Sequence, residues 1–256
     1  MNKKLFFFDV DETLYDNKNQ SIPLSTINSI KVLAKHHTLA IATGRPIYLL
    51  QKINPILKYF NYFVSLNGQY ISSKNSTIFK SPMNNIYKLI EVLIKENISF
   101  GMAGENERVL SHIDEYSATF FKHNHANYPK INKDFYKTNN VYLIWIFHEK
   151  LKIRKIVSKF IDYQLIQWGE TFFDIIPKNT SKGEGVKKLV EYLKYDVNDC
   201  FAFGDALNDY EMLSYIKNSI AMGNAHPKIK QVCAYTTSHI ENDGIRNALV
   251  YYGFIK

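Results

Sequence analysis

Cysteine is scarce in this chain. The two present, Cys200 and Cys233, lie far apart and outside any CxxC or Cys/His spacing, which excludes a disulfide framework and a cysteine zinc site and fits a reducing compartment. Long hydrophobic runs are missing too. VYLIWIF at residues 141–147 has the length of a strand, far short of the roughly 20 apolar residues that a membrane-spanning helix needs. The opening MNKKLFFF imitates a secretion signal for a moment, but Asp9 cuts the apolar stretch short and no small-residue cleavage site follows, so a cytoplasmic protein is expected. There is no low-complexity tract or solenoid repeat, and 46% hydrophobic with 22% charged residues is a globular balance.

What is present is a net charge of +8, which raises the question of polyanion binding. The densest basic stretch, KLKIRKIVSKF at 150–160, carries Ile153, Ile156, Val157 and Phe160 at helical spacing, so its cations form one solvated face. No nucleic-acid or membrane partner is expected; a small phosphorylated metabolite suits the charge better. A length of 256 residues predicts either one large α/β domain or a principal domain with a large insertion.

The first third alternates strand and helix patterns. KLFFFDV reads as a buried strand, STINSIKVLAKHH as an amphipathic helix with Ser25 near its start, and TLAIATG as a second strand. After Pro46, IYLLQKINPILKYF reads as helix interrupted by Pro55, and YFVSLNG as a third strand ending at Asn67-Gly68. Strands joined by helical crossovers imply a parallel sheet with helices on both faces. The middle differs: helix NNIYKLIEVLIKEN, strands ISFGMA and ERVLS, a polar aromatic stretch around HIDEYSATFFKHNHANYP, strand VYLIWIF, the basic helix, then strands YQLIQW and TFFDIIP. That mixture predicts an inserted α+β domain. NTSKGEGVKKLVEYL then opens a helix with Ser181 and Glu184 at capping-box spacing and Lys182 in the loop before it, and CFAFGDALND restores the first pattern, with short strands at NSIAM and CAYTT.

In open parallel α/β sheets the ligand site lies beyond the carboxyl ends of the strands. There stand Asp9 and Asp11 after the first strand, Thr43 and Gly44 after the second, Asp205 after FAFG, and Lys182. Carboxylates, a hydroxyl, amides and a cation together suit Mg²⁺ and a phosphoryl group.

These residues fall into motifs that resemble those of the haloacid dehalogenase superfamily, specifically its Cof-type (subclass IIB) phosphatases. DVDET (9–13), ATGR (42–45), Lys182 in TSKGEGV and GDALND (204–209) follow the order of the four signature elements, and SLNGQYI, AMGNA and NDGI are similar to secondary signatures of the branch. The resemblance implies a Rossmann-like parallel-sheet core formed by residues 1–82 and 178–256 and an α+β cap of the C2B type at 83–177. It implies Mg²⁺ as the cofactor, and sugar phosphates as the leading substrates.

Chemistry supplies roles beside the family. Asp9 is expected to attack phosphorus, giving an aspartyl-phosphate. Asp11, two residues on, protonates the leaving alkoxide and then activates water. Cations must offset the charge gathered beside a phosphate dianion: Lys182 is one, and Mg²⁺ held by Asp9, Asp205 and, as the family implies, the backbone carbonyl of Asp11 is the other. Thr43 and the amides of Val10 and Gly44 donate to the phosphoryl oxygens, Asn208 does likewise, and Asp209 either steadies the metal shell or is structural. Glu12 is expected to face away and Thr13 to fix the turn. In the insertion, Arg108, Lys122, His123 and His125 read as a solvated loop, and the histidines have no metal spacing. Phosphomutase activity and a non-catalytic phospholigand-binding regulator are the alternatives to hydrolysis, and a monomer or weak homo-oligomer is expected.

Overall fold

In the computed structural model, which describes residues 3–123 and 126–256, Leu5–Phe8 forms β1 and all four of its side chains are fully buried. A strand so apolar turns neither face to water, so it sits inside a sheet covered on both sides. The chain continues through α1 (Leu24–Leu33), β2 (Thr38–Ala42), α2 (Asn54–Leu57) and β3 (Tyr62–Ser65), then doubles back through β4 (Tyr70–Ser73) and β5 (Thr77–Lys80). Next come α3 (Tyr87–Lys95), β6 (Phe100–Ala103), β7 (Arg108–Leu110), α4 (Glu115–His123), β8 (Lys130–Ile131), β9 (Leu143–Phe147), α5 (Lys150–Val157), β10 (Tyr163–Gln167) and β11 (Phe172–Pro177). The last stretch holds α6 (Lys182–Leu193), β12 (Cys200–Gly204), α7 (Tyr210–Tyr215), β13 (Asn218–Ala221), α8 (Pro227–Val232), β14 (Tyr235–Thr236) and α9 (Gly244–Tyr251). These elements form two compact units, one of Met1–Lys80 with Ser181–Lys256 and one of Ser81–Thr180. Among the described residues no helix is long and apolar enough to cross a membrane.

The first unit is built on a sheet of order β14-β13-β12-β1-β2-β3-β4-β5, parallel from β14 to β3. β1 lies between β12 and β2, with Phe6 opposite Phe201 and Phe8 opposite Phe203. Each pair stacks, at 4.9 and 4.8 Å between ring centroids, an arrangement worth about 0.5–1.5 kcal/mol per pair beyond area burial. The stacks lock the register in which Asp9 N donates to the Phe203 carbonyl at 3.0 Å. Asp9 and the segment leading to Asp205 therefore leave the sheet side by side.

Several local expectations are corrected. Residues 46–60 do not form one interrupted helix: Ile47–Leu49 and Gln51–Ile53 are single 3-10 turns, and only the short α2 is α-helical, with Pro55 in its first turn. Proline has no N–H to bond back to the preceding turn, so the helix has to start afresh there. Asn67 and Gly68 belong to a turn, Leu66–Gly68, beyond the end of β3, and β4 and β5 extend the sheet as antiparallel strands that the strand-helix alternation did not announce. Lys182 is the first residue of α6 itself, behind the N-cap Ser181, whose side chain accepts from Glu184 N at 3.1 Å.

The second unit has a sheet of order β10-β11-β9-β6-β7-β8, antiparallel except between β7 and β8. Ile144, Ile146, Phe173 and Ile175 share one apolar cluster with Leu89, Ile90 and Leu93 of α3 and Ile153, Ile156 and Val157 of α5. The polar aromatic stretch contains a helix, α4. Asp114 and Ser117 cap it reciprocally, Ser117 N to Asp114 Oδ1 at 2.8 Å and Asp114 N to Ser117 Oγ at 2.9 Å. Lys122 and His123 are thus helical, while Arg108 opens β7 with its guanidinium 5.5 Å from the Trp145 ring. His125 lies outside the described residues.

Candidate active site

Three neighbouring strands, β12, β1 and β2, end at Asp205, Asp9 and Thr43. Lys182 enters from the first turn of α6, its side chain wholly buried. Its Nζ lies 2.6 Å from Asp9 Oδ1 and also contacts Asp209 Oδ1. A buried ammonium between two carboxylates keeps its proton: burial works against the charge, but Asp209 and Asp9 outweigh it and drive the lysine pKa up.

Asp209 is fully buried, and its other oxygen, Oδ2, accepts from the amides of Asp205 (3.0 Å) and Ala206 (3.1 Å). It thus fixes both the lysine and the start of the loop after β12. Gly204 makes room for it, since a Cβ there would stand 2.7 Å from Asp209 Cγ. Thr13, expected only to fix a turn, donates from Oγ1 to Asp205 Oδ1 at 3.0 Å. Glu12 has a left-handed backbone, φ 58°, and its side chain accepts from Asn17 N. Asn224, in the AMGNA stretch, ties this loop down by donating to the Glu12 carbonyl at 2.8 Å and accepting from Ile240 N at 3.0 Å.

Asp9, Asp205 and Asp209 each place one oxygen within 4.8 Å of the others. Burial pushes Asp9 up to about 7, the Asp209 and Asp11 charges adding to it against Lys182. Burial with the Asp9 and Asp209 charges pushes Asp205 up to about 8. Crowded, desolvated carboxylate oxygens are the donor set that a hard divalent cation neutralises, so these residues fit Mg²⁺.

Asp11 sits apart from that trio. Its carboxylate receives Arg45 Nε at Oδ2 (2.6 Å), Arg45 Nη2 at Oδ1 (3.1 Å) and Lys52 Nζ at Oδ1. Burial alone would raise its pKa, but the Arg45 hydrogen bonds and charge, joined by Lys52, hold it at about 2. Of the phosphate donors expected from the sequence, Thr43 is buried and its Oγ1 accepts from Arg45 N at 3.1 Å, which leaves its proton to give. No hydrogen bond to the Val10 or Gly44 amide is found among the described residues. The Asn208 Oδ1 is buried without a partner among the described residues.

Asp9, Lys182, Asp205 and Asp209 therefore meet in one contact group, with Thr43 and Gly44 on the adjoining strand end. Arg45 stood in a motif without a role, and Lys52 gave no signal at all, because its partner is 41 residues away and is brought near only by the turns that replace a regular helix.

The model of the haloacid dehalogenase-like hydrolases matches residues 6–249. A protein of Bacillus subtilis (strain 168), "Putative phosphatase YkrA", is 33% identical over 268 residues covering all of both chains. A Geobacillus kaustophilus protein described as hypothetical has a crystal structure 29% identical, with a TM-score of 0.93 over 99% of this chain and 100% of that one. The subclass IIB sugar phosphatase BT4131, 24% identical, shares the fold with a TM-score of 0.85 over 99% of this chain and 100% of its own.

Proposed function

We propose that this chain, which belongs to the haloacid dehalogenase-like hydrolases and is a phosphomonoester hydrolase of their Cof-type branch, works through an aspartyl-phosphate on Asp9 and takes small phosphorylated metabolites, sugar phosphates first among them. The observation that carries the mechanism is the buried contact of Lys182 Nζ with Asp9 Oδ1 at 2.6 Å at the mouth of β1. Lys182 keeps Asp9 from facing a phosphate dianion as a bare carboxylate, and it is positioned to touch the phosphoryl oxygens as well. Mg²⁺, held by Asp9, Asp205 and the Asp11 carbonyl with Asp209 behind them, would supply further positive charge to the phosphoryl group.

An Asp9 oxygen forms a bond to phosphorus as the ester P–O bond breaks, and the departing alkoxide takes a proton from Asp11. Water then attacks the same phosphorus, gives a proton back to Asp11, and releases inorganic phosphate with Asp9 restored. Thr43 Oγ1 and the amides of Val10, Gly44 and Asn208's side chain serve as donors to the phosphoryl oxygens. As found, Asp11 is ionised and clasped; it has to come away from Arg45 and Lys52 before it can carry a proton. A sugar preference draws support from the fold shared with BT4131. The second unit would then be the cap that selects the leaving group.

The test is a panel of phosphomonoesters with Mg²⁺ and detection of released phosphate. Turnover on sugar phosphates, abolished in a folded Asp9→Asn variant, is the expected result. Full activity in that variant would remove Asp9 from the mechanism.

A further inference from the structure

Beyond β3 the backbone takes an expensive path. Leu66, Asn67 and Gly68 have φ values of 51°, 53° and 84°, three left-handed residues in succession. Non-glycine residues of that kind are strained, and such strain persists only where the surroundings enforce it. The surroundings here are the proposed phosphate loop and the helix that carries Lys182. Leu66 N donates to the Arg45 carbonyl at 3.2 Å and Asn67 N to the Thr43 carbonyl at 3.3 Å. On the other side, a Cβ on Gly68 would stand 2.3 Å from the Ser181 carbonyl and 2.9 Å from Gly185 N. One turn therefore braces both the strand end at Thr43 and the start of α6.

The Asn67 side chain is the unexplained part. The residue is 2% exposed, yet among the described residues its Nδ2 has no hydrogen-bond partner. An orphaned buried donor is destabilising, so its retention calls for a reason. Its carboxamide lies against Gly44: a Cβ there would be 3.0 Å from Asn67 Oδ1 and 3.5 Å from Nδ2. The absent side chain of Gly44 is what lets the carboxamide come up to the backbone that is to receive the phosphoryl group.

We infer that Asn67 is a phosphoryl-binding residue whose Nδ2 donates to an oxygen of the transferred group beside the Gly44 amide. This rests on the phosphatase reading above. A hydrogen bond to an anionic oxygen is stronger than one between neutral groups, so the orphaned donor gains its partner when substrate or product phosphate arrives. The left-handed backbone suits asparagine, which tolerates that region better than most side chains while offering an amide donor.

The experiment measures kcat, KM and the inhibition constant of inorganic phosphate for the wild type, N67D and N67G, all with Mg²⁺. N67D keeps the shape and the backbone preference but replaces the donor with a negative acceptor; N67G keeps the backbone conformation and removes the group. Loss of one charge-assisted hydrogen bond is expected to raise the phosphate inhibition constant by roughly tenfold or more in both, with KM rising alongside. A merely structural Asn67 would lower the thermal midpoint without moving the phosphate constant of the protein that remains folded. An active wild type with unchanged phosphate inhibition in either folded variant overturns the assignment of Asn67, whereas a wild type without turnover overturns the phosphatase reading instead.

Discussion

Arg45 grips the Asp11 carboxylate with two nitrogens, Nε at 2.6 Å and Nη2 at 3.1 Å, while Lys52 bonds one of the same oxygens. A carboxylate so held has no proton to give and little tendency to accept one. On the mechanism proposed above, the contact sets a condition: leaving-group protonation waits until the clasp opens. Asp11→Asn should lower kcat by about 10²–10⁴-fold, the range for removal of a general acid-base group. It should also let phosphoenzyme accumulate, visible by intact mass as one added phosphoryl group. An unchanged kcat would take Asp11 out of proton transfer.

Lys182 has no exposed side-chain surface and faces two buried carboxylates. Lys182→Met should leave those charges uncompensated and cost about 3–5 kcal/mol of stability, as breaking a buried ion pair does. Chemical denaturation in the presence and absence of Mg²⁺ checks this, with part of the loss recovered when the cation is added. Turnover should vanish in both conditions.

Thr13 touches no reacting group in the mechanism, but it orients Asp205 through a 3.0 Å hydrogen bond. Thr13→Val should raise the Mg²⁺ concentration for half-maximal rate by about 10–100-fold, the usual effect of losing a partner behind a metal ligand. The rate at saturating Mg²⁺ should change much less. A magnesium titration of activity separates the two.

Asp174, in the second unit, is pushed up to about 7 by burial against the opposing hydrogen bond from Trp168 Nε1 at 2.5 Å. Its unfolded value is near 3.8, so the folded protein holds this proton more tightly than the unfolded chain does. The resulting stability is fully present below about pH 4 and is lost as pH rises to about 7. Asp174→Asn should flatten that slope and leave the variant the more stable protein above pH 7. Urea midpoints from pH 4 to 8 give the comparison, and parallel curves would show that Asp174 does not titrate in this window.

Much of this architecture was legible because its signals are local. LFFF reads as a strand buried on both faces, and the residues that follow such strands in a parallel sheet converge, which is why the sequence alone groups Asp9, Thr43 and Asp205. The clasp on Asp11 was not legible. Arg45 and Lys52 both reach it across a stretch that folds as two short 3-10 turns, Ile47–Leu49 and Gln51–Ile53, where the pattern predicted a helix interrupted only at Pro55. Asn67 was hidden for a related reason: an Asn-Gly pair signals a turn, but nothing in the pair says that its amide will be buried and unpartnered. The helix α4 was recoverable, since Asp114 and Ser117 have the spacing of a reciprocal cap, yet histidines and aromatics around it obscured the pattern.

β1 has one neighbour made early and one made late. Phe8 pairs with Ile41 on one side and with Phe203 on the other. At the usual pace of translation, about 5–20 residues per second, the ribosome needs on the order of 10–40 s to make the chain between Phe8 and Phe203. During that interval the nascent protein carries an all-apolar strand with one unpaired edge, the kind of surface that invites sticking to other chains. Expression yield of this protein should thus depend on elongation speed and chaperone supply through the middle of the message, and cold or slow translation should expose that edge for longer.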